Sequence, residues 1–298
     1  MKYTKHILYA CILLFTNCGS NDSIKDEPQP PTEPRSAVSI ITRTDNPDGN
    51  TPLQAGLYMV NYNNGNKDNL QPTDNYVNNQ LMTWDAVGWT LASPIYWSDM
   101  NTKADFFAYA PYQSNVANAR EAVCSVLTDQ TSESAFTQSD FLWGKVEGQS
   151  PNDGGISLIM SHVLSMLTVT VTAEAGFDEG ELKASDVEVT FGGSKTEGVF
   201  DLATGVLTVS GSASDVKCLS VGDLSYKAVL LPQIVPFSNL IKVNWKGNLY
   251  TIQNSFKLES GRQYNLTVKL KKTQGGFDIG IAGWDIIGED FGGVIGGN

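Results

Sequence analysis

The sequence is poor in the residues that most active sites use. Of 298 residues only two are histidines and four are cysteines, and no Cys-x-x-Cys pair or Cys/His spacing of a zinc site occurs. On a strand His162 shares a face with Leu158 and Met160, which predicts a packed imidazole rather than the base of a hydrolase triad. The Asp45–Asn50 run does not match a calcium loop and is typical of a surface turn. We therefore expect no catalytic residue, no metal site and no cofactor, in a protein that is not an enzyme.

The sequence also lacks positive charge and long apolar runs. It has 20 Lys and Arg against 32 Asp and Glu, a formal net charge of −12. Such a surface repels phosphate backbones, so nucleic acid is excluded as a partner. The one long apolar run, Ile7–Phe15, is too short for a bilayer core of about 30 Å, which needs roughly 20 helical residues. Several membrane spans are therefore excluded, while 41% hydrophobic residues suffice for a globular core.

The N-terminus has the pattern of an export signal, in which two lysines precede the apolar run and Cys18 follows it. This arrangement resembles a bacterial lipoprotein signal, in which residues 1–17 are removed and Cys18 is acylated. The alternative is an ordinary cysteine beside a plain secretory cleavage site. Residues 18–36 are acidic and rich in proline, which predicts an extended tether. The acidic pair Asp26-Glu27 resembles the signal that sends lipoproteins to the surface of the outer membrane.

Beyond the tether the sequence predicts β-strands. Turn residues recur about every eight to twelve positions, and the runs between them alternate apolar and polar side chains. Turns with glycine at Ala203–Gly205 and Lys246–Asn248 predict two hairpins. Helical spacing is found only at Val116–Leu127. The clearest alternating runs are Leu167–Thr172, Val187–Phe191, Ile241–Trp245 and Tyr264–Leu270.

A change in composition divides this body in two. Residues 37–155 are rich in Asn, Tyr, Trp and Asp, whereas residues 156–298 are rich in Val and Leu and have shorter turns. The boundary falls in the polar stretch Gly148–Gly155. Length and pattern together predict an all-β protein with two β-sandwich domains in tandem, the second followed by a C-terminal tail.

Six phrases stand in order along the body: Ala104–Tyr112, Ser139–Gly144, Leu158–Val171, Leu230–Gln233, Leu258–Val268 and Ile279–Trp284. Together these phrases resemble the fimbrillin family of Bacteroides-type bacteria. The resemblance implies two transthyretin-like β-sandwiches, export as a lipoprotein, and assembly into fimbriae at the outer membrane and cell surface. It also implies a role in cell adhesion, with identical or different fimbrial subunits and a host or bacterial surface receptor as partners.

Assembly in that family resembles donor-strand exchange: a protease that cleaves after arginine removes the first strand, and a strand of a neighbouring subunit fills the groove. In this sequence Arg43 is the expected processing site, because it ends the weakly alternating Val38–Arg43 and precedes the turn-rich Thr44–Asn50. Arg35 is the second candidate.

The expected donor strand lies in Phe277–Asn298, whose candidate residues are Ile279, Ile281, Ile286 and Ile287. These aliphatic side chains are suited to filling pockets, and the many glycines keep the segment adaptable. The alternative is a final strand of the same domain followed by a frayed tail.

A second hypothesis for function is a monomeric outer-membrane lipoprotein that binds surface glycans. Exposed aromatic side chains would form its platform, with Trp84, Trp89, Trp97 and Trp143 as candidates. A tryptophan on a strand is more often part of the core. The sequence leaves open whether a fimbrial subunit of this kind forms the shaft, the anchor or the tip, and whether the two cysteines of the body pair.

Overall fold

The structure, a computed structural model, describes residues 36–43, 54–84, 88–174, 176–178, 180–273 and 276–285. Strands dominate this part of the chain, so the predicted all-β fold class is confirmed. In chain order the strands are β1 (Ile40–Arg43), β2 (Gln54–Asn61), β3 (Val77–Trp84), β4 (Trp89–Leu91), β5 (Ala104–Ala110), β6 (Ala122–Val123), β7 (Leu142–Gln149), β8 (Ile156–Ile159), β9 (Ser161–His162), β10 (Ser165–Ala173), β11 (Val187–Asp201), β12 (Val206–Lys217), β13 (Leu219–Gly222), β14 (Ser225–Leu230), β15 (Ile234–Trp245), β16 (Asn248–Lys257), β17 (Gln263–Thr273) and β18 (Gly276–Asp285).

The described strands form four sheets. Sheet I has the order β4-β3-β2-β5-β7-β9, and β1 pairs with β8 as a separate two-stranded parallel sheet. Sheet II has the order β12-β11-β15-β16, with β6 also paired to β11. Sheet III has the order β13-β14-β10-β17-β18. The long strands of sheets II and III come from the Val- and Leu-rich part of the sequence.

The alternating runs form the predicted strands. In β10 the side chains of Leu167, Val169 and Val171 are buried, while the threonines between them are half-buried. Between β15 and β16, Lys246 and Gly247 have φ angles of 51° and 82°. Two successive left-handed residues make the tight hairpin turn whose twist matches that of the flanking strands. The predicted hairpin at this position is therefore confirmed.

Three hydrophobic cores, counted among the described residues, hold the sheets together. The first core combines sheet I with β1, β8 and the segment that contains Ile95 and Trp97, and the third lies between sheets II and III. The second core takes side chains from β2 and β5 of sheet I and from β10, β11 and β14 of sheets II and III. Because Leu57 of β2 faces the first core and Tyr58 the second, six consecutive residues of that strand are buried.

The residues that make up the first two cores can be compared with the predicted domain boundary. β8 lies beyond the predicted boundary at Gly148–Gly155, yet it pairs with β1, and its Ile156 and Leu158 belong to the first core. The described residues cluster as one compact unit because the second core is shared. The division into two tandem domains stays a prediction.

The helical spacing noted at Val116–Leu127 does not correspond to a helix in the structure. Ala122 and Val123 form β6, which pairs with Phe200 and Val199 of β11. Burial in this segment has a period of two, with Ala122, Cys124 and Val126 buried and the residues between them exposed. Val123 and Leu127, which a helix would place on one apolar face, are 58% and 44% exposed, and the residues that pack on the second core are those at strand spacing.

The α-helix of the described chain, α1 (Glu133–Ser139), follows a few residues later. Ser132 begins it by accepting a hydrogen bond at its side-chain oxygen from the Ala135 N–H at 3.2 Å, as N-cap residues do. Phe136 anchors the helix in the second core. With seven residues, α1 is far shorter than a membrane span, and nothing else in the described chain is a helix long and apolar enough to cross a bilayer.

Candidate functional site

Residues 36–43, hereafter the N-terminal segment, are seated in the first core. Val38 and Ile40 are only 6% and 8% exposed to solvent and belong to that core, whereas Ser39 between them is exposed. This period of two is the pattern of a strand with one buried face.

Backbone hydrogen bonds hold the N-terminal segment on both sides. On one side Val38 N–H donates to the Ile95 carbonyl at 2.8 Å, and Trp97 N–H donates to the Ser36 carbonyl at 3.0 Å. On the other side Ile156 N–H donates to the Ser39 carbonyl at 2.7 Å, and β1 then continues parallel to β8 from Ile40 opposite Ile156. The segment therefore fills a slot between residues 95–97 and β8.

Arg43 is the last residue of β1 and lies opposite Ile159 of β8. The two other residues predicted for processing and anchoring, Arg35 and Cys18, lie outside the described residues, as does the Asp45–Asn50 run. The structure thus places one of the two candidate cleavage positions at the C-terminal end of the seated strand.

The C-terminal candidate region begins with β18, which pairs antiparallel with β17 at the edge of sheet III. Ile279 lies opposite Leu270, and Ile281 lies opposite Val268. Ile286 and Ile287 lie outside the described residues. Within the chain, the first two donor candidates are therefore part of a strand of their own subunit.

The long hairpin of β11 and β12 reaches from sheet II to sheet I. At its tip the Leu202 carbonyl accepts a hydrogen bond from Trp143 Nε1 at 2.9 Å, and the Trp143 ring packs edge-on against Phe200. Arg120 Nη2 lies 2.8 Å from Asp201 Oδ2. Sequence patterns did not reveal this link, because its partners lie about 60 to 80 residues apart.

The His162 side chain is largely buried, as predicted, and it contacts a carboxylate. Its Nδ1 lies 2.8 Å from Asp140 Oδ2, and the two side chains are 8% and 10% exposed. The pair joins β9 to the residue that follows α1. This contact fixes the chain where it passes from sheet I to β10.

Cys124 and Cys218 are free and buried, in the second and the third core respectively. Burial raises the pKa of each thiol to about 12. Both are therefore protonated at neutral pH and lack the thiolate that disulfide formation and nucleophilic chemistry require. No group of three or more His, Cys, Asp or Glu side chains in the described residues is arranged to hold a metal ion.

The four tryptophans considered for a glycan platform do not form an exposed plane. Trp89 and Trp97 are buried in the first core, and Trp84 packs edge-on against Trp89. Trp143 is half-buried at the hairpin tip. These indoles are packing residues, which is the more common role of tryptophan on a strand.

The sequence was compared with models of protein families and with curated proteins. A sequence model of a family described as fimbrillin-like matches residues 42–284. A search of curated proteins finds no match.

Solved structures share the fold. A candidate cell adhesion protein from Bacteroides ovatus has a TM-score of 0.63 at 18% identity, with 87% of this chain and 100% of that chain covered. A candidate cell adhesion protein from Bacteroides uniformis has a TM-score of 0.61 at 20% identity, covering 85% and 98%. A fimbrial protein from Bacteroides vulgatus has a TM-score of 0.51 at 14% identity, covering 84% and 99%. At these identities the structures establish a common fold, and the family match extends over most of the sequence: the chain belongs to the fimbrillin-like family.

Proposed function

We propose that this protein is a structural subunit of a surface fimbrium, exported as a lipoprotein and joined to neighbouring subunits by exchange of a β-strand. The observation that carries the proposal is the seating of the N-terminal segment. Its Val38 and Ile40 are built into the first core, yet it is a single strand that ends at an arginine. We call the slot that it fills, between residues 95–97 and β8, the acceptor groove.

Removing the N-terminal segment from the acceptor groove is energetically unfavourable unless another strand takes its place. It uncovers Ile156 and Leu158, which are otherwise fully buried, and frees the backbone groups of Ile95, Trp97 and Ile156 that bond to the segment. Each aliphatic side chain that leaves the core forfeits about 1.5–3 kcal/mol of burial. An incoming strand restores both the hydrogen bonds and the burial, which is the physical basis of β-augmentation.

The position of cleavage decides whether the groove opens. Cleavage after Arg43 separates all of β1 from the body, whereas cleavage after Arg35 leaves residues 36–43 attached with their pairing intact. This difference favours Arg43 as the processing site. N-terminal sequencing of assembled material should give Thr44 as the first residue, and an intact Val38–Arg43 in filaments would contradict this step.

For the donor, the residues after β18 are favoured over those within it. Ile279 and Ile281 already pair with β17, so their strand must leave sheet III before it can enter a neighbour, whereas Ile286 and Ile287 follow β18. Replacing both Ile286 and Ile287 by Asp should leave the monomer folded and abolish polymer ladders on unboiled gels. The matched control is Ile234→Asp, which puts the same change at a side chain that is 74% exposed. Ladders that persist in the double variant, or that vanish in the control as well, would refute the assignment.

Anchoring at the outer membrane rests on Cys18. A Cys18→Ala variant should lose incorporation of labelled palmitate and appear in the soluble fraction of the cell. Labelling that remains in the variant would refute lipidation at Cys18 and would leave the proposed strand exchange unaffected.

The decisive experiment is electron microscopy of the purified full chain after treatment with a protease specific for arginine. Filaments are expected only in treated samples, and an Arg43→Gln variant should stay monomeric. Treated protein that is cleaved after Arg43 and remains solitary would overturn the proposal.

A further inference from the structure

The N-terminal segment keeps its described contacts when the chain is cut after Arg43. Its hydrogen-bond partners are Ile95 and Trp97 on one side and β8 on the other, and none of them lies between β1 and β2. The bond that the protease cleaves follows the last paired residue, since Arg43 lies opposite Ile159. Cleavage therefore removes one covalent connection and leaves the strand pairing and the two buried side chains in place.

The segment is an interior strand rather than an edge strand. One side bonds to residues 95–97, and the other side bonds to β8. A strand that leaves such a position loses hydrogen bonds on both sides at once, and unpaired buried backbone groups are costly. Its departure also uncovers Ile156 and Leu158, which are fully buried while the segment is seated. The empty groove is thus the unfavourable state, whether or not the segment is still attached to the body.

Cleavage changes how readily the segment returns after it has left the groove. An intact chain holds a seated element near its groove at an effective concentration of about 1 mM, and cleavage replaces this value by the concentration of free peptide. The rate of departure is different, because it depends on the contacts that must break, and those contacts are the same before and after the cut. The segment should therefore leave a cleaved monomer as slowly as it leaves its groove in the uncut chain.

Two arginines bracket the segment: Arg35 directly precedes it, and Arg43 ends it. The peptide severed by cleavage after Arg43 contains the tether, in which Cys18 is the expected lipidation site, and the seated strand. One end of this peptide would carry the lipid while the other end occupies the groove. Cleavage after Arg35 instead separates the lipid from the segment and leaves the groove filled.

Resting on the strand exchange proposed above, we propose that the acceptor groove has a second ligand, which is the severed N-terminal peptide of its own chain. A subunit cut after Arg43 stays joined to its anchor, without a covalent bond, until the strand of a neighbour displaces the segment. Release from the membrane and entry into the polymer are then one event. Cut subunits are not lost from the cell surface before they assemble.

The first test follows the severed peptide in the purified full chain and does not depend on acylation. After treatment with a protease specific for arginine, gel filtration separates polymer, monomer and free peptide, and mass spectrometry identifies the peptide that ends at Arg43. Each cleaved monomer should carry one such peptide, and the polymer should lack it except at a terminal subunit. Cleaved monomers without the peptide would overturn the inference.

The rate of release tests whether the buried side chains hold the peptide. Excess synthetic peptide of residues 36–43 prevents rebinding, and isotope labelling of the protein distinguishes the severed peptide from the added one. Ile40→Ala should speed release about 30-fold, which corresponds to a loss of about 2 kcal/mol of core contacts. Val38→Ala, a smaller truncation, should act in the same direction. Ser39→Ala is the matched control, because its side chain is exposed, and a release rate in Ile40→Ala and Val38→Ala equal to that of Ser39→Ala would contradict the inference.

The second test uses membrane fractions from cells that make the acylated chain. In an Arg35→Gln variant cut after Arg43, the body should stay in the membrane fraction until excess synthetic peptide displaces it. In an Arg43→Gln variant, cleavage after Arg35 should release the body at once. Prompt release of the cut Arg35→Gln body would overturn retention and leave strand exchange standing, whereas retained bodies that never polymerise would contradict strand exchange alone.

Discussion

The seating of the N-terminal segment can be tested by truncating its two buried side chains one at a time. Val38 and Ile40 are more than nine-tenths buried in the first core, and Ser39 between them points to solvent. Val38→Ala and Ile40→Ala therefore remove core contacts, whereas Ser39→Ala changes a side chain in the same strand without touching the core. The backbone hydrogen bonds of the segment are available in all three variants.

The magnitude follows from the volume removed. Val38→Ala deletes two methyl groups, which at about 0.8 kcal/mol each plus a small cavity gives about 2 kcal/mol. Ile40→Ala falls in the usual range for such a truncation, about 2–5 kcal/mol, and near its lower end because the strand lies at the margin of the core. Ser39→Ala should change stability by less than about 0.5 kcal/mol.

Two assays read the effect. Urea denaturation measures the free energy of unfolding, and the rate of trypsin cleavage after Arg43 measures how often the segment leaves its slot. If the segment opens locally, a loss of 2 kcal/mol accelerates cleavage about 30-fold, because the open fraction rises by that factor. The reasoning is refuted if Ser39→Ala matches the two core variants, or if Ile40→Ala changes neither stability nor cleavage.

Three further predictions concern the link between the sheets and the buried thiols. Gly205→Ala should destabilise the protein more than Gly247→Ala: both glycines have left-handed φ angles, which costs about 1–2 kcal/mol for alanine, but at Gly205 a Cβ would also lie 2.8 Å from the Trp143 ring. Burial raises the pKa of Asp201, but the hydrogen bonds from Arg120 and a backbone N–H outweigh it, so the pKa lies below the ordinary 3.8. Its stabilising effect is therefore present at neutral pH and lost as pH falls below about 3.8, and Asp201→Asn should show lower stability at pH 7 and a shallower decline in acid urea titrations. The two core cysteines should resist Ellman's reagent at pH 8 until the chain unfolds, since burial keeps them protonated; rapid labelling of native protein would contradict this.

What the sequence revealed was local in origin. The alternation in Leu167–Thr172 and the glycine turn at Lys246–Asn248 each depend on neighbouring residues, and both appear in the structure where they were expected. Period-two burial and left-handed turn residues act over a few positions, so a single sequence contains the information that specifies them.

What the sequence did not reveal depends on contacts between distant segments. Val116–Leu127 looked helical because its apolar residues also fit a helical period, and only pairing with β11 makes it extended. The hydrogen bond from Trp143 to the Leu202 carbonyl likewise joins segments about 60 residues apart. Contacts between distant segments determine these features, and the local periodicity of a sequence does not reveal such contacts.

The proposed strand exchange gives the shared second core a mechanical role. The acceptor groove belongs to the first core, whereas the C-terminal strand β18 belongs to sheet III. In a polymer joined through these two elements, any pull on the filament passes from one to the other inside every subunit. A pair of domains on a flexible linker would yield at that point, but here the path crosses a buried core, a hydrogen bond from Trp143 to Leu202 and the ion pair of Arg120 with Asp201. The hairpin of β11 and β12 connects sheet II to sheet I, and a subunit joined by the proposed strand exchange would carry load through this connection.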